Sequence, residues 1–241
     1  MDITRVDDID VNCIDLGPKI RTKLKVNYSK GGRLVIKTPI MLVPFPPQPK
    51  ENSTTKQKFM YTLPLSCESV SFSRSTKRER NDKEIEELAK KIREIDIHVQ
   101  KSLKKVLNTD HFIYYDSLST SSSSFTTTNN MSSFNSFQRT TKQYSSRLNV
   151  QVLLDRDSGE AIPDIFHGNK QDENGYREML QIEDIQPKAL VSCILELDSV
   201  WCIQQQDKSK APRGGLNWKV IQIKVHENKN KHENENNHEK K

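Results

Sequence analysis

The sequence predicts a mainly β protein of the α+β class: an OB-like β-barrel or small sandwich with one long amphipathic helix, a disordered Ser/Thr-rich insertion and a disordered polar tail. Three observations carry this. Apolar residues alternate with cations between Lys19 and Leu42, and alternate again from Leu148 to Leu154, the period-2 mark of strands with one buried face. One stretch alone, Asp82 to Leu107, changes to helical spacing. Two further stretches, 117–146 and 226–241, have no regular apolar spacing. With a hydrophobic fraction of 33% and a mean hydropathy of -0.78, only part of the 241 residues can build a core.

Residues 1–18 form an acidic lead-in carrying Asp2, Asp7, Asp8 and Asp10, where Ile9, Val11 and Cys13 can make a short strand that Gly17-Pro18 ends. One OB-like domain is expected over 19–225. In its first strand Ile20, Leu24, Val26 and Tyr28 share the inward parity, and Arg21, Lys23 and Lys25 point outward. Lys30-Gly31-Gly32 supplies a turn, because glycine tolerates positive φ. Leu34, Ile36, Ile40 and Leu42 then resume the inward parity beside outward Arg33 and Lys37. Pro44, Pro46, Pro47 and Pro49 favour an extended, exposed connection, since proline cannot serve a central strand. Phe59 to Val70 offers one or two short strands. Arg74, Lys77, Arg78 and Arg80 read either as a basic recognition patch or as a solvated loop, with Glu79 and Asp82 interrupting them.

In the helix Ile85, Leu88, Ile92, Ile95, Val99 and Val106 form an a/d-like stripe, with Asn81 or Asp82 as N-cap. Acids gather near its start and lysines near its end, as the helix dipole favours. Ser102 falls on a d position and the stripe is short, so it is expected to pack on the protein's own sheet; a coiled-coil dimer is the other reading. The insertion 117–146 includes the run Ser121 to Ser124, punctuated by Phe125, Phe134, Phe137 and Tyr144. Leu148 to Leu154 is a strand, Asp155 to Gly159 a polar turn, and Ile162 to Phe166 a returning strand. Residues 167–180 read as an exposed loop. Ala189 to Ile203 and Leu216 to Val225 are the last strands, joined by a polar loop with Lys208, Lys210, Pro212, Arg213, Gly214 and Gly215. The tail 226–241 has no apolar residue with which to join a core.

A net charge of +6 permits a polyanionic partner. Cys13, Cys67, Cys193 and Cys202 make no CxxC pair and read as buried reduced thiols. An acidic start and the lack of a long apolar run lead us to expect an intracellular, soluble protein with no membrane partner. Phosphate-loop, dinucleotide, nucleophile-elbow and zinc-protease motifs are absent, so neither enzymatic activity nor a cofactor is expected. Asp155, Asp157 and Glu160 resemble the opening of a calcium loop, but Phe166 stands where its bidentate glutamate belongs.

Cations on strands release counterions from phosphates, and aromatic rings beside them can stack on unpaired bases. The candidate nucleic-acid-binding residues are therefore Arg21, Lys23, Lys25, Tyr28, Arg33, Lys37, Lys208, Lys210, Arg213, Trp218 and Lys219, with Trp201 another possible ring. Trp201 and Trp218 each neighbour a valine, and ordinary burial preferences favour the core for either, while the loop cations suit a solvated hairpin tip equally well. Two other functions stay open. A virion or scaffold protein would use the helix stripe and the Phe-punctuated loop for protein contacts; a metal-dependent nucleic-acid enzyme would assemble Asp155, Asp157 or Asp198 in space.

The run Leu34-Val35-Ile36-Lys37-Thr38-Pro39-Ile40-Met41-Leu42-Val43-Pro44-Phe45 resembles the opening of a protein family of large nucleocytoplasmic DNA viruses. Ile95-Asp96, Leu197-Asp198-Ser199-Val200-Trp201 and Gly215-Leu216-Asn217-Trp218-Lys219-Val220-Ile221-Gln222 continue the pattern. Members look like single-stranded-DNA-binding proteins with OB-type cores, akin to phage replication proteins of that kind. The resemblance implies single-stranded DNA as partner, viral replication proteins as further partners, and a place at the site of viral DNA replication. The helix stripe adds a homo-oligomer to the expected partners.

Overall fold

The computed structural model describes residues 2–68, 76–109, 112–119, 146–171, 173–204 and 211–227, with backbone alone at 76–80, 119, 169 and 227. Of the expected insertion 117–146, only 117–119 and 146 are therefore described, and Lys208, Lys210, the tail from 228 and the side chains of Arg74, Lys77, Arg78 and Arg80 lie outside the described residues. Within them the protein is mainly β with one long helix, consistent with an OB-like α+β fold.

Two 3-10 turns, Val6–Asp8 and Val11–Cys13, replace the short strand expected there. The first hairpin is β1 (Ile14–Ile20) and β2 (Lys23–Tyr28). Gly17-Pro18 does not end β1. The pairing slips between Leu16 and Lys19, so the proline, which has no N–H to give, sits at an irregularity in an edge strand. The chain reverses at Arg21-Thr22, where Arg21 adopts φ 56, the left-handed conformation a two-residue hairpin turn requires. This places Ile20 across from Lys23 and leaves it 67% exposed, against its expected inward position.

Next come β3 (Val35–Lys37), β4 (Met41–Leu42), the edge strand β5 (Gln48–Glu51) with Pro49 inside it, and β6 (Lys58–Ser66). Helix α1 (Thr76–Leu107) begins earlier than its spacing suggested, so Asn81 and Asp82 are interior residues and not caps. Asn81 instead clamps Ile40, accepting from its N–H at 3.0 Å and donating to its carbonyl at 2.9 Å. After α1 come β7 (Ile113–Tyr115), β8 (Leu118–Ser119), β9 (Arg147–Leu153), β10 (Asp164–Gln171), β11 (Arg177–Met179), β12 (Leu190–Ile203) and β13 (Arg213–Glu227). The returning strand expected at Ile162 to Phe166 is the start of β10, while the rest of β10, with β8 and β11, occupies positions expected to be insertion or loop. Their partners are distant in sequence: β8 joins β9, and β10 runs parallel to β13, pairings that alternation within a segment cannot reveal.

The strands form one sheet in the order β1-β2-β12-β13-β9-β6-β5, with β12 and β13 as its long central pair. In β2 burial alternates without exception: Leu24, Val26 and Tyr28 are buried, and Lys23, Lys25 and Asn27 exposed. Leu24, Val26, Leu63, Val150, Leu197, Val200, Trp218 and Val220 share a core with Leu88, Ile92, Ile95, Val99 and Leu103 of α1. The helix stripe thus packs on its own sheet. Val106 of the expected stripe is instead 50% exposed, and the half-buried Leu107 packs on the core at that end. Burying an Ile or Leu side chain contributes roughly 1.5–3 kcal/mol, so this stripe outweighs the modest intrinsic stability of a helix carrying so many charges.

Asp96 is the buried charge of that interface. It accepts hydrogen bonds from the Tyr114 hydroxyl at 2.8 Å, the Ser117 amide at 3.0 Å and the Ser117 hydroxyl at 2.8 Å. Burial pushes its carboxyl up to about 6, against the opposing pull of those donors. Trp218 donates its indole N–H to the Ser117 hydroxyl at 3.2 Å, so one short polar chain ties α1 to β13 and to the segment entering the insertion.

Candidate nucleic-acid interface

Residues opposite one another in a ladder project to the same side, so the register assigns the faces. On the side of the sheet away from the core, Lys23 of β2 lies opposite Trp201 of β12, Trp201 opposite Gly215 of β13, and Gly215 beside Tyr115 of β7. The next row holds Lys25, Ser199 and Asn217. Beyond it Lys219 lies opposite Glu196 and beside Gln151, and Glu196 lies opposite Val35. Arg213, two residues before Gly215, begins this face and is exposed. From Arg213 to Lys219 the face runs about 20 Å at the usual strand rise.

One device makes these rows coincide. Asp198 is an extra residue in β12, bulged between the pairs Leu197 with Trp218 and Ser199 with Asn217. Leu197 and Val200 can therefore both face the core, while Glu196 and Ser199 both face away from it. Without the bulge one row of this face would turn inward.

The surface is concave. A groove of about 630 Å³ is lined by Arg21, Lys23, Lys25, Arg33 and Lys219 together with Glu196, Asp198 and Ser199. A neighbouring concavity of about 590 Å³ shares Lys25, Arg33 and Glu196 with it and adds Lys30. Arg33 is held 3.5 Å from Glu196, and Lys30 lies 3.6 Å from Asp10. Five cations from three separated stretches of chain thus meet around two carboxylates. Such a groove focuses a positive field along its rim.

At the end of the groove Tyr115 and Trp201 meet with ring centroids 5.4 Å apart and planes at 48°. Gly215 makes room for them: a Cβ there would stand 2.7 Å from the Tyr115 carbonyl and 3.1 Å from the indole nitrogen of Trp201. Trp201 and Tyr115 are half-buried, so ring surface remains accessible beside Lys23.

The structure brings Arg21, Lys23, Lys25, Arg33 and Lys219 together in one groove, and places Arg213 on the same face. Lys37 is exposed opposite Ile194, on this side of the sheet but beyond the residues lining either concavity. Two candidates fail. Tyr28 is 2% and Trp218 1% exposed, so neither can offer a ring to a base; both continue the inward parity of their strands. Tyr115, Glu196 and the bulge have no signal in the local pattern, and Asp198 enters the sequence reading only as a carboxylate of the enzyme alternative and in the run 197–201. Trp201 and the Gly214-Gly215 pair are the available hints.

Asp155 caps its own turn. Its carboxylate accepts from the amides of Asp157 and Ser158, and those bonds, that from Ser158 most, hold its carboxyl below the usual range. Among the described residues no three His, Cys, Asp or Glu side chains are grouped to hold a metal ion, and no helix is long and apolar enough to cross a membrane.

No protein-family model matches the chain, and no curated protein matches it. Among solved structures there is similarity to the crystal structure of gp2.5, a single-stranded DNA binding protein encoded by bacteriophage T7. The TM-score is 0.36 at 8% identity, over 81% of this chain and 87% of that one. A likeness of that size carries no residue-by-residue correspondence.

Proposed function

We propose that the protein binds single-stranded DNA without breaking a bond, largely independently of sequence, and protects it during viral DNA replication, recombination or repair. The observation that carries this reading is the continuity of the cationic groove with the Tyr115–Trp201 pair on one face of the sheet. Lys23, Lys25, Arg33 and Lys219 hold phosphates by charge, a contact that ignores sequence and releases counterions. The aromatic pair takes an unstacked base, which a single strand offers and a duplex keeps within its own stack. The viral setting is supported by the resemblance of residues 34–45, 197–201 and 215–222, and replication proteins are its natural further partners.

Titration of the purified protein with fluorescent oligo-dT and with a matched duplex, across several salt concentrations, tests the reading. Single strands are expected to bind at least about tenfold more tightly than duplex, with log affinity falling linearly in log salt at about 0.7 per phosphate contacted. Equal affinity for both forms, or binding indifferent to salt, would contradict it.

A further inference from the structure

We propose that Asp198 makes the groove read bases, favouring guanine and disfavouring thymine in the strand it holds. This rests on the groove being a single-strand surface and adds a preference on top of the charge-driven binding. A directional hydrogen-bond chain crosses the sheet beneath the groove. Gln151 donates its amide to the Asn217 carbonyl oxygen at 2.7 Å, Asn217 donates to the Ser199 hydroxyl at 3.1 Å, and Ser199 donates to Asp198 Oδ2 at 2.8 Å. Ser199 and Asn217 are 4% and 6% exposed. Buried polar side chains are kept in register only when their partners are fixed, and each donor here points toward the carboxylate.

The chain ends in the groove. Asp198 is the bulged residue, half-buried, and its Oδ1 accepts no hydrogen bond among the described residues. Glu196, the other carboxylate of the groove, is already engaged by Arg33 at 3.5 Å. A fixed carboxylate among phosphate-binding cations repels the strand unless the strand brings donors to it, which makes it a discriminating element and not an affinity element. Carboxylates accept from base amino groups. On its Watson–Crick edge guanine presents two adjacent donors, N1–H and the 2-amino group, that a carboxylate takes as a pair. Thymine presents one N–H between two carbonyl oxygens, both of which face the negative charge. Adenine and cytosine, each with one amino group beside a ring acceptor, fall between.

The test compares three oligonucleotides of one length by fluorescence anisotropy: oligo-dT, the same strand with guanines at its central positions, and the same strand with inosines there, which lack the 2-amino group. Wild type is expected to bind the guanine strand about tenfold more tightly than oligo-dT, with inosine between. In Asp198→Asn, which keeps the size of the bulged side chain, and in Asp198→Ala, the three affinities should converge, with oligo-dT binding strengthened by loss of the negative charge. Equal binding of all three strands by wild type overturns this inference alone and leaves single-strand binding standing. No binding of any strand overturns both. An equal loss for all three strands in both variants assigns Asp198 a packing role only and also overturns it.

Discussion

Replacing Lys23 and Lys25 together by glutamate is expected to weaken single-strand binding on the order of a hundredfold at low salt and to reduce the slope of log affinity against log salt by about 1.4. Both ammonium groups line the groove and both residues are exposed on β2, with the buried Leu24 and Val26 facing the other way. The loss should therefore be confined to binding. Exposed substitutions of this kind change stability by no more than about 0.5 kcal/mol, so the unfolding midpoint should stay put. Lys101→Glu with Lys105→Glu is the matched control. Both lysines are exposed on α1, away from the groove lining, and their reversal makes the same change in net charge. If the helix control weakened binding as much as the β2 pair, the protein's overall charge and not this face would be responsible. Isothermal or anisotropy titrations of the two variants side by side decide it.

The two tryptophans are expected to divide function from stability. Trp218→Ala should cost about 3–5 kcal/mol of folding stability, because the ring is 1% exposed, lies in the core and donates to Ser117. Trp201→Ala should weaken oligonucleotide binding by the roughly 1–3 kcal/mol that one stacked base is worth, about 5- to 150-fold. Its stability cost should be much the smaller, since it lies on the far side of the sheet over a glycine. Urea unfolding read by circular dichroism, together with oligo-dT titration of both variants, separates the two effects. A Trp201→Ala protein that unfolds as readily as Trp218→Ala would place Trp201 in the structural core instead.

Much of this was legible in the chain, and the exceptions share a physical cause. The alternation of Lys23, Lys25 with Leu24, Val26, and of Arg33 with Leu34, was enough to put the cations outside and the aliphatics inside, because period 2 is a property of one strand taken alone. The helix stripe from Ile85 to Val99 was legible for the same reason. Tyr28 and Trp218 keep the inward parity of their strands, so both rings are buried and neither can stack on a base. Ile20 failed because the turn at Arg21-Thr22 contains neither Gly nor Pro. The Tyr115–Trp201 pair and the Asp198 bulge depend on which strands pair and in what register. Their partners lie up to about a hundred residues apart, as Tyr115 and Gly215 do, and nothing local marks such a pairing.

The most direct test of the central claim, that a single strand lies on the face carrying Lys23, Trp201 and Tyr115, uses the chain's own fluorescence. The sequence contains two tryptophans, one buried and one at the groove. Titrating wild type, Trp201→Phe and Trp218→Phe with oligo-dT while following tryptophan emission should show quenching in wild type and in Trp218→Phe, as a base covers the Trp201 ring. The signal should be lost in Trp201→Phe, even where anisotropy shows the strand still bound. Quenching that survives in Trp201→Phe, or binding with no quenching in wild type, would place the strand elsewhere on the protein.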